Sequence, residues 1–163
     1  MDAAHGNKDL DDLILVRDRA FPNAANDIVV ECGNSLYQPI LDRYIAGEDV
    51  PLSEFQRVWR NRSVSMCSVS GFYEIPFPLV RRINQTLPPA KRIRVLAGDP
   101  PLDWSKIKNQ SEVMLDRDDN VASVMEKEVL SKHRKALMLF GTMHLYHIQQ
   151  HRPNRIGISG SPL

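Results

Sequence analysis

The sequence predicts an α/β fold: a single domain over residues 1–163, with a mostly parallel sheet of three to four strands flanked by helices. Three observations carry this prediction. Ile28–Val30 and Ala136–Phe140 are uninterrupted apolar runs with no alternation, the pattern of strands covered on both faces. Segments of helical period separate the strand-like segments, and such alternation means parallel strands joined by crossovers. The composition, 42% apolar and 25% charged over 163 residues, suits one globular domain with a real core.

The elements follow in chain order. Residues 2–8 are small and polar and feed a helix with Leu10, Leu13 and Ile14 at helical spacing. Asp9, Asp11 and Asp12 favour its N-terminus, and Phe21-Pro22-Asn23 ends it. Asp27–Cys32 is the first clear strand, β-branched at Ile28, Val29 and Val30, and it runs into Gly33-Asn34. Asn34 or Ser35 caps a helix carrying Leu36, Tyr37, Ile40, Leu41, Tyr44 and Ile45. Pro39 is a point for a kink in its early turns, and Gly47 is its stop. Ser53–Arg60 reads as a short helix with Phe55, Val58 and Trp59 on one side, and the Ser-rich 61–71 as a loop. A helix from about Pro78 to Thr86 turns Leu79, Val80, Ile83 and Leu87 inward until Pro88-Pro89 ends it. Arg92–Ala97 is the second strand and ends in Gly98-Asp99-Pro100-Pro101. The segment Asp118–Arg134 sets Val121, Val124, Met125 and Val129 on one helical face. It leads into the strand at Ala136–Phe140, which is followed by Gly141-Thr142-Met143-His144. Arg155–Ser159 is a candidate fourth strand.

A net charge of +1 gives no reason to expect a nucleic-acid partner or a strongly acidic substrate. No apolar run approaches the roughly 20 residues that span a bilayer, and the N-terminus lacks the pattern of a signal peptide. The expectation is a cytoplasmic protein with no membrane and no nucleic-acid partner. Cys32 and Cys67 are not spaced as a zinc knuckle. Cys32 reads as a small buried apolar residue and no disulfide is expected, in keeping with a reducing compartment.

Open α/β sheets bind ligands beyond the carboxyl ends of their strands. Polar groups gather there: His5 with Asn7, Glu31 with Asn34, Asp99, and His144. Two imidazoles and a carboxylate on one edge would bind a borderline divalent metal and leave a position for water, so His5, Glu31 and His144 are the candidate metal ligands. The same three residues also suit acid–base catalysis with no metal. The competing reading makes the histidines solvated and Glu31 a cap or the partner of an arginine. Asp99 positions a site His or Arg, or else only forms the turn before Pro100. Arg117 holds a carboxylate, from the substrate or from Glu31, or forms a surface ion pair worth little. Tyr37 reaches the site or packs in the core. The Gly98 segment lacks the glycine pattern and the Lys of a phosphate-binding loop.

The ordered set HGN near the start, ECGN after a strand, GDPPLDW after the next and GTMHL after the last resembles the erythromycin-esterase/ChaN-like group. This group is related to the TraB/Tiki proteins within the haem-binding uptake and Tiki superfamily, and the likeness extends over most of residues 5–145. It implies an α/β fold with a site that maps to His5, Glu31 and His144. Proteins similar to this include esterases that open lactones, metal-dependent peptidases and haem-binding lipoproteins. The family motif near His5 carries a Glu, where this chain has Asp2, Ala3 and Ala4. Relatives also have a strand before this point and continue beyond GTMHL, so a member shortened at both ends is expected. The expected function is a hydrolase-like site acting on a small molecule or peptide. The alternatives are a haem- or metal-binding module without turnover and an inactive fragment. Exposed sheet edges make a homodimer a further expectation.

Overall fold

A computed structural model describes residues 24–61, 74, 76–108 and 117–141. The expected first helix, the strand at Arg155–Ser159, His5 and His144 lie outside these residues.

Three parallel strands form the sheet: β1 (Asp27–Asn34), β2 (Arg94–Asp99) and β3 (Ala136–Leu139), in the order β2-β1-β3. β1 is central because it is apolar on both sides. Ile28, Val30 and Cys32 enter one buried cluster, and Val29 enters the other. The first cluster is closed by α1 (Gln38–Ala46), α2 (Leu52–Phe55), α3 (Arg57–Arg60) and α4 (Pro76–Thr86). Its centre is aromatic. Phe55 stacks on Tyr44, with ring centroids 3.7 Å apart, and meets Trp59 and Phe77 edge-on. The second cluster, with Leu96, Val121, Val129 and Phe140, lies under α5 (Arg117–Val124) and the π turn Met125–Val129 that continues it. Among the described residues no helix is long and apolar enough to cross a membrane.

Local sequence explains most boundaries. Asn34 caps a 3-10 turn, Ser35–Tyr37, by accepting from Leu36 N at 3.0 Å. Pro39 sits at the start of α1, where no intrahelical N–H is needed, so it begins the helix rather than kinking it. Gly47 ends α1 with φ 104°, a left-handed conformation that an L side chain rarely adopts. The helix expected over Ser53–Arg60 is two short ones broken at Gln56, and the one expected from Pro78 begins at Pro76.

Two differences from expectation have physical causes. β2 runs two residues beyond Ala97 because β1 bulges opposite it: Val30 pairs with Ala97, but the next partners are Asn34 and Asp99. The bulge brings the backbones together. A Cβ on Gly33 would lie 2.8 Å from Ala97 Cα, and one on Gly98 would lie 2.8 Å from Val30 O. Glycine at both positions is therefore a packing requirement. The segment 118–134 is not one α-helix. It passes from α5 through the π turn to a 3-10 turn, Leu130–Lys132. A π turn underwinds the helix, which brings Val129 back onto the buried face of Val121.

A third difference concerns Cys32. It is fully buried, as expected, but it is disulfide-bonded rather than a free thiol. The sequence holds one other cysteine, Cys67, outside the described residues.

Opposite the carboxyl edge, the strand starts are joined by charge. Asp27, with 0% exposure, accepts from Arg94 Nε and NH2 at 2.9 and 2.8 Å, and from Arg134 Nε and NH2, both at 2.8 Å. Arg94 begins β2 and Arg134 immediately precedes the approach to β3, so one carboxylate ties all three strands. Arg94 also donates to Glu128 O at 2.7 Å, a carbonyl within the π turn. Burial alone pushes the Asp27 carboxyl up, but the hydrogen bonds and charges of Arg94 and Arg134 outweigh it and hold the group below its ordinary value.

Candidate functional site at the carboxyl edge of the sheet

The strand order β2-β1-β3, with helices on both faces, is that of a doubly wound sheet, whose ligands sit beyond the carboxyl ends beside the first strand. Two polar networks occupy that position.

The first centres on Glu31, which is 5% exposed near the end of β1. Its Oε1 accepts from Arg117 NH2 at 3.1 Å, and its Oε2 accepts from Gly141 N at 2.6 Å. Arg117 Nε donates to Asp99 Oδ1 at 2.9 Å. One guanidinium, from the first residue of α5, therefore bridges carboxylates from the ends of β1 and β2, and the Gly141 N–H joins the chain leaving β3. Asn120 anchors α5 here by donating to Gly98 O at 2.8 Å. Glu31 reaches this side because Val29 and Glu31 alternate with Ile28, Val30 and Cys32 along the strand.

The second network centres on Asn34, which has 0% exposure. Its Nδ2 donates to Asn61 O and Leu102 O, both at 2.9 Å, and its Oδ1 accepts from Leu36 N and from Leu102 N at 3.1 Å. These four bonds use the full capacity of a carboxamide. Asn34 thereby fixes the loops that follow β1 and β2 against each other. Asn61 also donates through Nδ2 to the Tyr37 hydroxyl, which accepts from Arg57 NH2 at 3.1 Å while the Arg57 guanidinium lies over the Tyr37 ring.

Of the expected site residues, Glu31, Asp99 and Arg117 meet directly. Tyr37 joins the neighbouring network through Asn61 and is otherwise part of the core. His5 and His144 lie outside the described residues, although His144 follows Gly141 by only three positions. The reading of Asn34 as a cap missed its larger role. The available signal was an Asn directly after a buried strand, with Gly-Asp-Pro-Pro-Leu after the next.

Family models, curated proteins and solved structures give no match to this chain.

The donor set bears on the metal and haem expectations. Among the described residues no group of three or more His, Cys, Asp or Glu is placed to hold a metal ion. Glu31 is the one expected ligand among them. Its two oxygens already accept from Arg117 and Gly141, and the guanidinium supplies positive charge between the carboxylates. The Tyr37 hydroxyl, a phenol of the kind that can ligate haem iron, is held by Arg57 and Asn61. Glu31 and Tyr37 therefore already have protein partners, and the expected histidine ligands, His5 and His144, lie outside the described residues.

Proposed function

We propose that this chain is a hydrolase-like protein of the kind the erythromycin-esterase/ChaN-like resemblance implies, acting on a small molecule or peptide at the carboxyl edge of its sheet. One observation carries the reading: a buried glutamate is fixed through both oxygens, by Arg117 and by the backbone of the strand end that leads to His144. Glu31, Asp99 and Arg117 together sum to one negative charge. A histidine brought beside such a group is favoured as imidazolium, the form it takes on removing a proton from water. In this scheme His144 or His5 is the general base and Glu31 orients it. The water oxygen forms a bond to the substrate carbonyl carbon, the imidazole takes the water proton, and that proton passes to the leaving oxygen or nitrogen as its bond to carbon breaks. Arg117 is a positioning residue acting through Glu31 and Asp99.

The test is hydrolysis of chromogenic short-chain esters by the purified chain, with Glu31→Gln, His144→Ala and Arg117→Met alongside. Turnover that falls at least about 100-fold in Glu31→Gln and His144→Ala, with the fold retained by circular dichroism, supports the reading. Turnover indifferent to both substitutions refutes it. Elemental analysis and a haem titration of the same samples examine the alternative of a binding module without catalysis. Stoichiometric metal or a Soret band lost in His144→Ala, with no turnover, would replace the hydrolase reading. The sequence suggests a cytoplasmic location, and the Cys32 disulfide weighs against it, since such bonds persist in oxidising surroundings. Alkylating thiols at cell lysis and counting the blocked cysteines decides between them.

A further inference from the structure

The contact of Arg57 with Tyr37 is a cluster of hydrogen-bond donors short of acceptors. Tyr37 ends the 3-10 turn that follows β1 and is 7% exposed, with its ring in the first buried cluster. Its hydroxyl oxygen accepts from Arg57 NH2 at 3.1 Å and from Asn61 Nδ2. Two donors fill the lone pairs of a phenol oxygen, so the hydroxyl still has its own proton to give. Arg57 has no acceptor atom, and Asn61 presents its N–H side. Among the described residues nothing accepts from the Tyr37 hydroxyl. Arg57 is exposed and is also short of a partner. Glu54, three residues before it, has the spacing of an ordinary helical ion pair, but its Oε1 faces Arg43 NH1 at 3.5 Å. Arg60, in the same short helix, pairs with Glu74 at 2.6 Å. Among the described residues no carboxylate pairs with Arg57. Its guanidinium is nonetheless held in place, with Cζ 4.6 Å from the centre of the Tyr37 ring and donors left over. Asn61 is fixed as well, since its carbonyl accepts from Asn34 Nδ2 at 2.9 Å. The cluster therefore stands beside the end of β1 on the face covered by α1–α4, with Glu31, Asp99 and Arg117 on the other face.

We propose that Arg57 and Tyr37 form a subsite for a carboxylate, with the guanidinium donating to one oxygen and the Tyr37 O–H to the other. A carboxylate supplies the two acceptors that the cluster lacks, and its charge-assisted bonds to these donors are the strong kind. Because Arg57 is already stacked and hydrogen-bonded, it loses little freedom on binding. The ligand is a monoanion. The cluster supplies one cation, and Glu31, Asp99 and Arg117 on the same edge sum to one negative charge, which disfavours a dianion such as a phosphate monoester. Resting on the hydrolase reading, the subsite defines the substrate class: a carbonyl compound with a free carboxylate away from the bond that breaks. The binding itself requires no turnover.

The experiment follows the Arg57 Nε–H signal by heteronuclear NMR while the full chain is titrated with N-acetyl-leucine, its neutral amide, or phenyl phosphate. The carboxylate is expected to shift the signal saturably and to bind at least about ten-fold more tightly than the amide or the phosphate. Tyr37→Phe, which removes only the hydroxyl, is expected to weaken carboxylate binding about ten-fold, the equivalent of one hydrogen bond to a charged group. Arg57→Gln, at an exposed position, is expected to abolish the preference for carboxylate over amide, read from the backbone amide signal of Asn61, and it decides the matter if Tyr37→Phe does not fold. No saturable shift, equal binding of amide and carboxylate, tighter binding of the phosphate, or wild-type binding by Arg57→Gln would each overturn the proposal. Wild-type affinity in a folded Tyr37→Phe would also overturn it. Hydrolysis of para-nitrophenyl butyrate and of the para-nitrophenyl monoester of glutaric acid separates this proposal from the hydrolase reading. A lower KM for the carboxylated ester, lost in Arg57→Gln with kcat retained, supports both. Carboxylate binding with no turnover of either ester sinks the hydrolase reading and leaves the subsite standing. Turnover with no preference for the carboxylated ester overturns the subsite as a substrate anchor.

Discussion

Replacing Asp27 with Asn tests how much the charge at the strand starts contributes to stability. The carboxylate takes four hydrogen bonds of 2.8–2.9 Å from two guanidinium groups and has no exposed surface. Asn keeps the shape but offers one acceptor oxygen, and its NH2 faces donors, so two of the four bonds become donor-to-donor contacts. Removing one partner of a buried ion pair costs about 3–5 kcal/mol. The Arg94 and Arg134 side chains keep 34% and 28% of their exposure and can recover water, which lowers the expected cost to about 2–4 kcal/mol. At this chain length that corresponds to a fall in Tm of roughly 5–15 °C. Urea denaturation at pH 7 and a thermal melt measure it. The pH dependence gives a second test. The folded pKa of Asp27 lies below 3.8, so its contribution is fully present above the unfolded value and is lost as pH falls through the folded one. The gap between wild type and Asp27→Asn should be constant from pH 7 to pH 5 and should close below pH 3.8. A loss under about 1 kcal/mol at pH 7, the size of a surface pair, would refute the reasoning, as would a gap that widens in acid.

Three further outcomes are expected. Gly98→Ala places a methyl 2.8 Å from the Val30 carbonyl, a backbone atom in the central strand, and should cost about 1–3 kcal/mol by denaturant titration. Trp59→Phe removes a buried indole N–H that has no hydrogen-bond partner among the described residues. It should therefore cost under about 1.5 kcal/mol, well short of the usual loss for a core truncation, in the same titration. Thiol titration of the unfolded chain should find no free cysteine before reduction and both after it, and a thiol detected before reduction would contradict the bonded state of Cys32.

The strands were legible because Ile28–Val30 and Ala136–Phe140 are apolar without alternation, and only a strand covered on both faces needs that pattern. The end of β2 was not legible, because its last two residues pair across a bulge set by close contacts of Gly33 and Gly98, and periodicity carries no such information. The π turn was hidden for a related reason: Val121, Val124, Met125 and Val129 fit an α-helical face well enough that the underwinding leaves no mark in the pattern. At the carboxyl edge, Glu31, Asp99 and Arg117 could be proposed singly from their places at element ends. Their meeting spans 86 residues between Arg117 and Glu31, a distance fixed only by topology. The same holds for Asn34, whose partners lie 27 and 68 residues away, and for the disulfide at Cys32, about which cysteine spacing said nothing.

β1 carries a carboxylate anchor near each end, Asp27 toward its start, which meets Arg94 and Arg134, and Glu31 toward its finish, which meets Arg117. An apolar strand such as Ile28-Val29-Val30 has little of its own to distinguish the correct alignment from one displaced by a single residue, since either would bury hydrocarbon on both faces. The two carboxylates change this. A slip of one position would turn both toward the opposite face and leave two charges buried away from their arginines, each costing several kcal/mol. The central strand is thus read like a key with a tooth at each end. A misaligned sheet is rejected as it assembles, because it strands charge even where it satisfies every hydrophobic contact.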